Sequence, residues 1–191
     1  MRPIRIKPTR ADEAIALSIA RHTRPAPETL AKLLTWGADE KILLALAAVG
    51  WLATRDRSAA ARRAGDHALL VTATVALLPH LLKCGVNQTR PDRLTLIGHL
   101  HGIPISGRAE DAFPSGHALH MGALASAATS WPKGWREAGL AVAIGLSLTR
   151  VAVLAHWTSD VITGFVLGAL VERALRRLTG YARHSRGRRG G

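Results

Sequence analysis

The sequence predicts an all-α fold: a polytopic membrane helical bundle of about five transmembrane helices, preceded by N-terminal amphipathic helices. Three observations carry that prediction. Hydrophobic residues make up 48% of the 191 residues, and they gather in five blocks, at 42–53, 68–82, 118–131, 138–155 and 161–171. Ala, Leu, Gly and Val dominate these blocks, without the alternation of period two that marks a half-buried strand. Charge collects between the blocks instead, leaving a formal net charge of +13 that comes almost entirely from arginine.

Taken in order, residues 1–41 form an amphipathic, interfacial segment. Asp12 can cap a helix running to Ala20, the Pro25–Ala26–Pro27 run breaks it, and Leu30, Leu33 and Leu34 recur at helical spacing beside Lys32. Two short helices lying at a membrane surface fit this pattern. Residues 42–178 hold the five blocks and form the membrane-embedded domain; residues 179–191 are a basic, disordered tail. No block reaches the roughly 20 residues of a comfortable span, so each alone could be a buried helix of a soluble protein. Five in so short a chain are harder to place there. A soluble bundle needs polar outer faces, and block 138–155 offers only Ser147, Thr149 and Arg150.

Charge orients the bundle. Arg55, Arg57, Arg62 and Arg63 lie between the first two blocks, Lys133 and Arg136 between the third and fourth, and seven arginines from Arg173 to Arg189 after the fifth. If the last four blocks each cross, these segments share one side, which the positive-inside rule makes cytoplasmic. Residues 83–114 then face away from the cytoplasm, in an inner (plasma) membrane. A full crossing by 42–53 would leave the basic N-terminal segment outside as well, against the same rule.

Composition excludes several classes. The one cysteine, Cys84, rules out an intrachain disulfide and a cysteine-based zinc site, and reads as a small buried residue. Arg21, His22 and Arg24 interrupt the first apolar stretch, so no cleaved secretory signal is expected. No basic run is interleaved with aromatics for base stacking, which argues against nucleic acid as a partner.

Three polar clusters sit at block ends, all on the predicted outer side. They are Lys83 to Arg90–Pro91, then Pro114–Ser115–Gly116–His117, then Thr149–Arg150 followed by His156 and Asp160. Ser115, Gly116 and His117 open a helix, where free backbone N–H groups and the dipole favour an anion. Glycine there lets a ligand approach the backbone. Lys83, Arg90 and Arg150 bring three positive charges to a region without enough acid to pair them. Asp160, four residues after His156, can keep one imidazole nitrogen protonated and leave the other as a nucleophile. Arg150 and His156 are six apart and share no helical face, so the chain must break near 155–157, with residues 158–160 capping the next helix. Singly, each cluster has an ordinary explanation as a helix entry, a snorkelling basic residue or a local helix pair. Together, in this order and on one side, they point to phosphoryl chemistry.

Lys-x6-Arg-Pro, Pro-Ser-Gly-His and Thr-Arg-x5-His-x3-Asp, spread over residues 82–160, resemble the signature of the type 2 phosphatidic acid phosphatase and vanadium haloperoxidase superfamily. One departure is visible: Thr149 stands where that pattern carries serine, which keeps a hydroxyl. The resemblance implies a small membrane lipid phosphatase. In it Lys83, Arg90 and Arg150 grip the phosphoryl oxygens, with hydrogen bonds from Ser115 and the Gly116 amide. His156 attacks phosphorus to form a phosphohistidine, Asp160 orients His156, and His117 protonates the leaving oxygen and later activates water. It implies no cofactor and no metal; His99 and His101 lack a clear third ligand and read as loop residues. The implied substrate is a phosphomonoester or diphosphate of a lipid, phosphatidate-like or polyprenyl. Two alternatives stand beside it. A vanadate-binding haloperoxidase uses the same residues, but its known members look soluble and much longer. A non-catalytic membrane protein with a relic site should have lost at least one of the eight positions.

Overall fold

A computed structural model describes residues 3–22, 25–94 and 109–181. His99 and His101 therefore lie outside the described residues, as does the tail beyond 181. The chain opens with a short strand β1 (Ile4–Arg5) and the helices α1 (Arg10–His22) and α2 (Pro25–Thr35). A 3-10 turn (Trp36–Ala38) leads into α3 (Glu40–Ala53) and α4 (Ala59–Lys83). Strand β2 (Val86–Asn87) and the one-turn α5 (Pro91–Leu94) follow, then α6 (Gly116–Ala128), α7 (Lys133–Ala152) and α8 (Thr158–Thr179).

The five apolar blocks are five helices, α3, α4, α6, α7 and α8, and α4 and α8 run furthest beyond their blocks. Ser58 caps α4 by accepting from the Ala61 amide at 3.3 Å, and the helix runs from Ala59 through Arg62 and Arg63 before the apolar stretch begins. Arginine is a good helix former, so a basic run does not mark a loop. α8 likewise continues past Val171 through Arg176 and Arg177, and ends at Gly180 with φ of 67°. The fold is helical as expected, with one addition: β1 pairs in parallel with β2, Ile4 opposite Val86 and Arg5 opposite Asn87. One expectation fails, because Cys84 is exposed, its thiol meeting the His80 carbonyl.

α6 is the centre of the bundle, with Leu119, Met121, Ala125 and Ala128 all buried. Its tightest partner is α8. A Cβ added at Gly122 would stand 1.8 Å from the Phe165 carbonyl oxygen, and one at Gly168 would stand 1.9 Å from that of Leu119. Only glycine permits this approach, the small-residue contact by which helices pack where no water drives them together. On the α4 side Val71 and Val75 close over Leu119 and Ala123; on the α7 side Ala143 packs with Met121 and Ala125.

α4 runs antiparallel to α6 and α8, which run parallel to each other, and the bundle has two chemically distinct ends. At one end the start of α4 and the ends of α6 and α8 meet around Glu172. Its carboxylate accepts from Arg176 Nε at 2.8 Å and Ser126 Oγ at 2.5 Å, and pairs with His67 Nε2 at 3.0 Å. Tyr181 stacks on His67 with ring centroids 4.5 Å apart. The other end gathers the end of α4 and the starts of α6 and α8. Outward faces are apolar: Leu46, Val49 and Leu52 on α3, Leu70, Leu77 and Leu81 on α4, Ile144 and Leu148 on α7, and Ile162, Val166 and Leu170 on α8 are all exposed. Among the described residues α4 alone is long and apolar enough, by length and composition, to cross a membrane.

Candidate active site

The cation-bearing segment is held between the end of α4 and a strand-like link. Lys83 is the last residue of α4, and its Nζ lies 3.5 Å from Asp111 Oδ2. Seven residues on, Arg90 donates through Nε to Asp111 Oδ1 at 2.9 Å and sets a second nitrogen 2.8 Å from the same oxygen. Asp111 therefore bridges two of the three predicted cations, one carboxylate shared between two positive charges. Arg90 Nη1 also donates to the Ala155 carbonyl at 3.0 Å, fastening this segment to the residue before His156. The third cation, Arg150, is buried in the last turn of α7 and donates to the Thr35 hydroxyl at 3.4 Å.

The chain leaves helix between Ala152 and Thr158, as the six-residue spacing requires. Leu154 turns the chain with φ of 53°, a left-handed conformation that costs a non-glycine residue about 1 kcal/mol or more. Its buried side chain and its carbonyl, which accepts from the Asp92 amide at 3.0 Å, hold it there. The Ala155 and His156 amides both fold back onto the Arg150 carbonyl. This knot places the His156 ring inside the protein at 3% exposure. Its Nδ1 lies 2.6 Å from the Ala112 carbonyl oxygen. A carbonyl only accepts, so Nδ1 carries the proton and Nε2 keeps its lone pair. Burial, together with the Arg90 and Arg150 guanidinium groups facing the ring, pushes the His156 pKa well below the ordinary histidine value.

Asp160 meets His156 differently from the expectation. Its Oδ2 stands 4.0 Å from Nδ1 and accepts instead from the Trp157 amide at 2.9 Å. That bond caps α8 from its own third residue, while the Asp160 main-chain carbonyl accepts from the Ser115 amide at 3.3 Å. Asp160 thus ties the starts of α8 and α6 together, and the contact with the imidazole Nδ1 belongs to Ala112.

At the start of α6, Ser115 is fully buried and its Oγ caps the helix by accepting from the Ala118 amide at 3.4 Å. The hydroxyl proton remains available to a ligand. A Cβ on Gly116 would meet nothing nearer than Pro79 at 3.6 Å. The protein itself does not demand glycine there, so the bare backbone serves whatever enters. His117 hydrogen-bonds the Thr35 backbone and faces Arg150.

All eight predicted residues therefore lie at one end of the bundle: Lys83, Arg90, Ser115, Gly116, His117, Arg150, His156 and Asp160. Asp111, the Ala112 carbonyl and Thr35 join them without a sequence signal. Thr35 Oγ1 also lies 3.0 Å from Thr149 Oγ1, where the departure from serine falls.

A model of the PAP2 superfamily matches residues 67–184. The chain belongs to the PAP2 superfamily. It is 44% identical over 95 residues to the lipid A 1-phosphatase of Rhizobium johnstonii, across 49% of this chain and 38% of that protein. The lipid A 1-phosphatase of Rhizobium etli is 44% identical over 94 residues, across 48% of this chain and 40% of that one. The matches thus span about two fifths of these relatives' own length. In structure, this PAP2 chain is similar to a transmembrane PAP2-type phosphatidylglycerolphosphate phosphatase from Bacillus subtilis. The TM-score is 0.67 at 22% identity, covering 89% of this chain and 85% of that one. The family match begins at His67, so α1, α2 and α3 stand outside it.

Proposed function

We propose that this protein is a metal-independent membrane phosphatase that removes a phosphate from a lipid through a phosphohistidine at His156. One observation carries the reading: the 2.6 Å bond from His156 Nδ1 to the Ala112 carbonyl directs a neutral Nε2 into a region bordered by Arg90, Arg150 and Lys83. In the first step Nε2 bonds to phosphorus and the bond from phosphorus to the lipid oxygen breaks. His117 gives that oxygen its proton. In the second step water, deprotonated by His117, attacks phosphorus, the P–N bond breaks, and inorganic phosphate and neutral His156 are restored. Arg90, Arg150, Lys83, the Ser115 hydroxyl and the Gly116 amide face the phosphoryl oxygens, whose charge three side-chain cations suffice to stabilise.

Two features support a lipid substrate. The exposed apolar faces of α3, α4, α7 and α8 suit hydrocarbon surroundings and accord with five spans. A largely apolar cavity of about 340 Å³ lies between α3, α4 and α6 and begins at His120, one turn beyond His117. Its lining extends from His120 to Glu172 and Tyr181, at the end opposite the phosphoryl site. The basic segments around residues 55–63, 133–136 and 173–177 lie at the Glu172 end, and the positive-inside rule favours an active site on the non-cytoplasmic face. The relatives' named activity adds a sugar 1-phosphate such as lipid A to the phosphatidate-like and polyprenyl diphosphate candidates.

The test is phosphate release by the purified protein from phosphatidate, phosphatidylglycerophosphate, polyprenyl diphosphate and lipid A, with and without EDTA. Hydrolysis of at least one, unchanged by chelation, is the expected result. Loss on chelation with recovery by one divalent ion would sink the metal-free mechanism; hydrolysis of none would sink the phosphatase.

A further inference from the structure

The first helix of the chain reaches into the machinery through a single carboxylate. Asp12 is buried at 3% exposure. Its Oδ1 accepts from the Ser159 amide at 2.9 Å, and its Oδ2 from the Ser159 hydroxyl at 2.8 Å. Thr9 completes the shell: its amide and hydroxyl donate to Oδ2 at 3.0 and 2.8 Å, and its oxygen accepts from the Asp12 amide at 3.1 Å. Thr9 and Asp12 thus form a capping box that starts α1, with Asp12 at its third helical position rather than as the cap that the sequence pattern predicts.

The same carboxylate caps a second helix. Ser159 is the second residue of α8, and its amide is one of the N–H groups that no helical turn can satisfy. A carboxylate against that terminus also opposes the positive end of the α8 dipole. Burial pulls the Asp12 carboxyl upward, but the bonds from Ser159 and Thr9 outweigh it and leave its pKa below the ordinary value. The group is charged at neutral pH.

The clamp sits where it controls geometry. Ser159 lies between His156 and Asp160: the first turn of α8 carries Asp160, and His156 stands two residues ahead of that turn. One turn along α1, Ala16 packs with Ala112, Leu154 and Trp157, flanked by Ile19 and Ala20. Ala112 supplies the carbonyl that holds His156 Nδ1, and Leu154 and Trp157 bracket His156 in the chain. β1 extends the grip, with the Ile4 and Ile6 amides donating to the Gly85 and Asn87 carbonyls between Lys83 and Arg90. Every one of these tethers comes from residues ahead of the PAP2 match at 67–184.

We propose that Asp12 is a positioning residue for phosphoryl transfer: by clamping Ser159 it fixes the first turn of α8, and with it the direction of the His156 ring. The role rests on the phosphatase reading above. Asp12 touches no substrate, so its loss should misalign attack while leaving anion binding in place.

The experiment measures kcat and KM on a water-soluble aryl phosphate, and inhibition by orthovanadate, for the full chain and for Asp12→Ala, Asp12→Asn, Ser159→Ala and Thr9→Val. Asp12→Ala should lose kcat on the order of 10²-fold, the cost of a small misplacement, with KM and the vanadate inhibition constant within about threefold. Asp12→Asn keeps one acceptor for the Ser159 amide and should recover part of kcat. Ser159→Ala loses the hydroxyl bond alone and should fall less than Asp12→Ala. Thr9→Val breaks the box inside α1 but spares both Ser159 bonds, and should behave as wild type. If Asp12→Ala does not fold, Asp12→Asn and Ser159→Ala carry the test. Wild-type kcat in the Asp12 variants would overturn the role. So would a loss in Thr9→Val equal to that in Asp12→Asn, or a loss of vanadate binding in step with kcat. A wild-type protein that hydrolyses nothing would overturn the phosphatase and this role together.

Discussion

Two polar clusters occupy opposite ends of α4, α6 and α8, and they follow opposite rules of charge. At the far end one buried carboxylate, Glu172, meets Arg176, His67 and Ser126, and Thr179 closes the second nitrogen of His67 at 2.9 Å. Donors and acceptors there answer one another within the protein. At the site end Lys83 and Arg90 both reach the partly exposed Asp111 carboxylate, and Arg150, with Asp92 as a charged neighbour, donates to a hydroxyl while its Nε has no hydrogen-bond partner among the described residues. Buried cations short of counter-charge are costly. A cluster that closes on itself serves packing; a cluster left cationic is completed by an anion from outside. Mutations at the two ends should therefore fail in different currencies.

The largest effect belongs to the site end. His156→Ala should abolish turnover by on the order of 10³-fold or more, since the covalent path is gone while the cations still bind anion. His117→Ala should lose roughly 10²- to 10⁴-fold on a lipid substrate, because proton transfer weakens in both steps. On an aryl phosphate, whose leaving group needs no proton, the His117 variant should recover its first step and accumulate an acid-labile phosphoenzyme. The His156 variant should do neither. Equal activity of both variants on the aryl substrate would mean the two roles are wrongly assigned.

At the far end Glu172→Ala should do the reverse. It strands His67, Ser126 and Arg176 without their acceptor, a loss of about 3–5 kcal/mol for a broken buried pair. Thermal unfolding in detergent should move well down while kcat/KM per folded molecule stays within about twofold, because no catalytic residue lies at that end. A kinetic loss without a stability loss would show that the two ends are coupled.

The same contrast explains what the sequence made legible. The eight site residues stand at fixed spacings in three motifs at the ends of α4, α6, α7 and α8, and helix geometry turns such spacing into convergence. The five blocks became helices for the same reason: apolar runs of this composition have one way to satisfy their backbone. The Ala112 carbonyl was invisible because any residue type supplies a carbonyl. Asp111 carries no motif of its own, since nothing in the sequence says that Lys83 and Arg90 reach it. Thr35 and Asp12 act across 114 and 147 residues of chain, and pairings at that distance leave no local periodicity. The Glu172 cluster gave no sequence signal either. Arg176 reads as one of a set of basic residues after the last block, and nothing in that set singles out the guanidinium that turns to Glu172 and to the Ser126 carbonyl.

The sharpest probe of the comparison is the smallest change, Asp111→Asn. If the site end awaits an anion, Asp111 is the internal group that competes for the same cations. It holds Arg90 through two contacts at 2.8 and 2.9 Å and Lys83 at 3.5 Å, with a quarter of its side chain exposed. Losing its charge frees positive potential, and Arg90 does not come loose, because Nη1 stays on the Ala155 carbonyl at 3.0 Å. Solvent screening limits the gain, so orthovanadate and product phosphate should bind between about threefold and tenfold more tightly. The gain should shrink as salt rises, since a partly exposed charge is screened. Slower release of phosphate would then lower kcat modestly if release limits turnover. Weaker vanadate binding in Asp111→Asn would reverse the conclusion. Asp111 would then be a scaffold holding the cations in register, and the site end would obey the same closed rule as the end around Glu172.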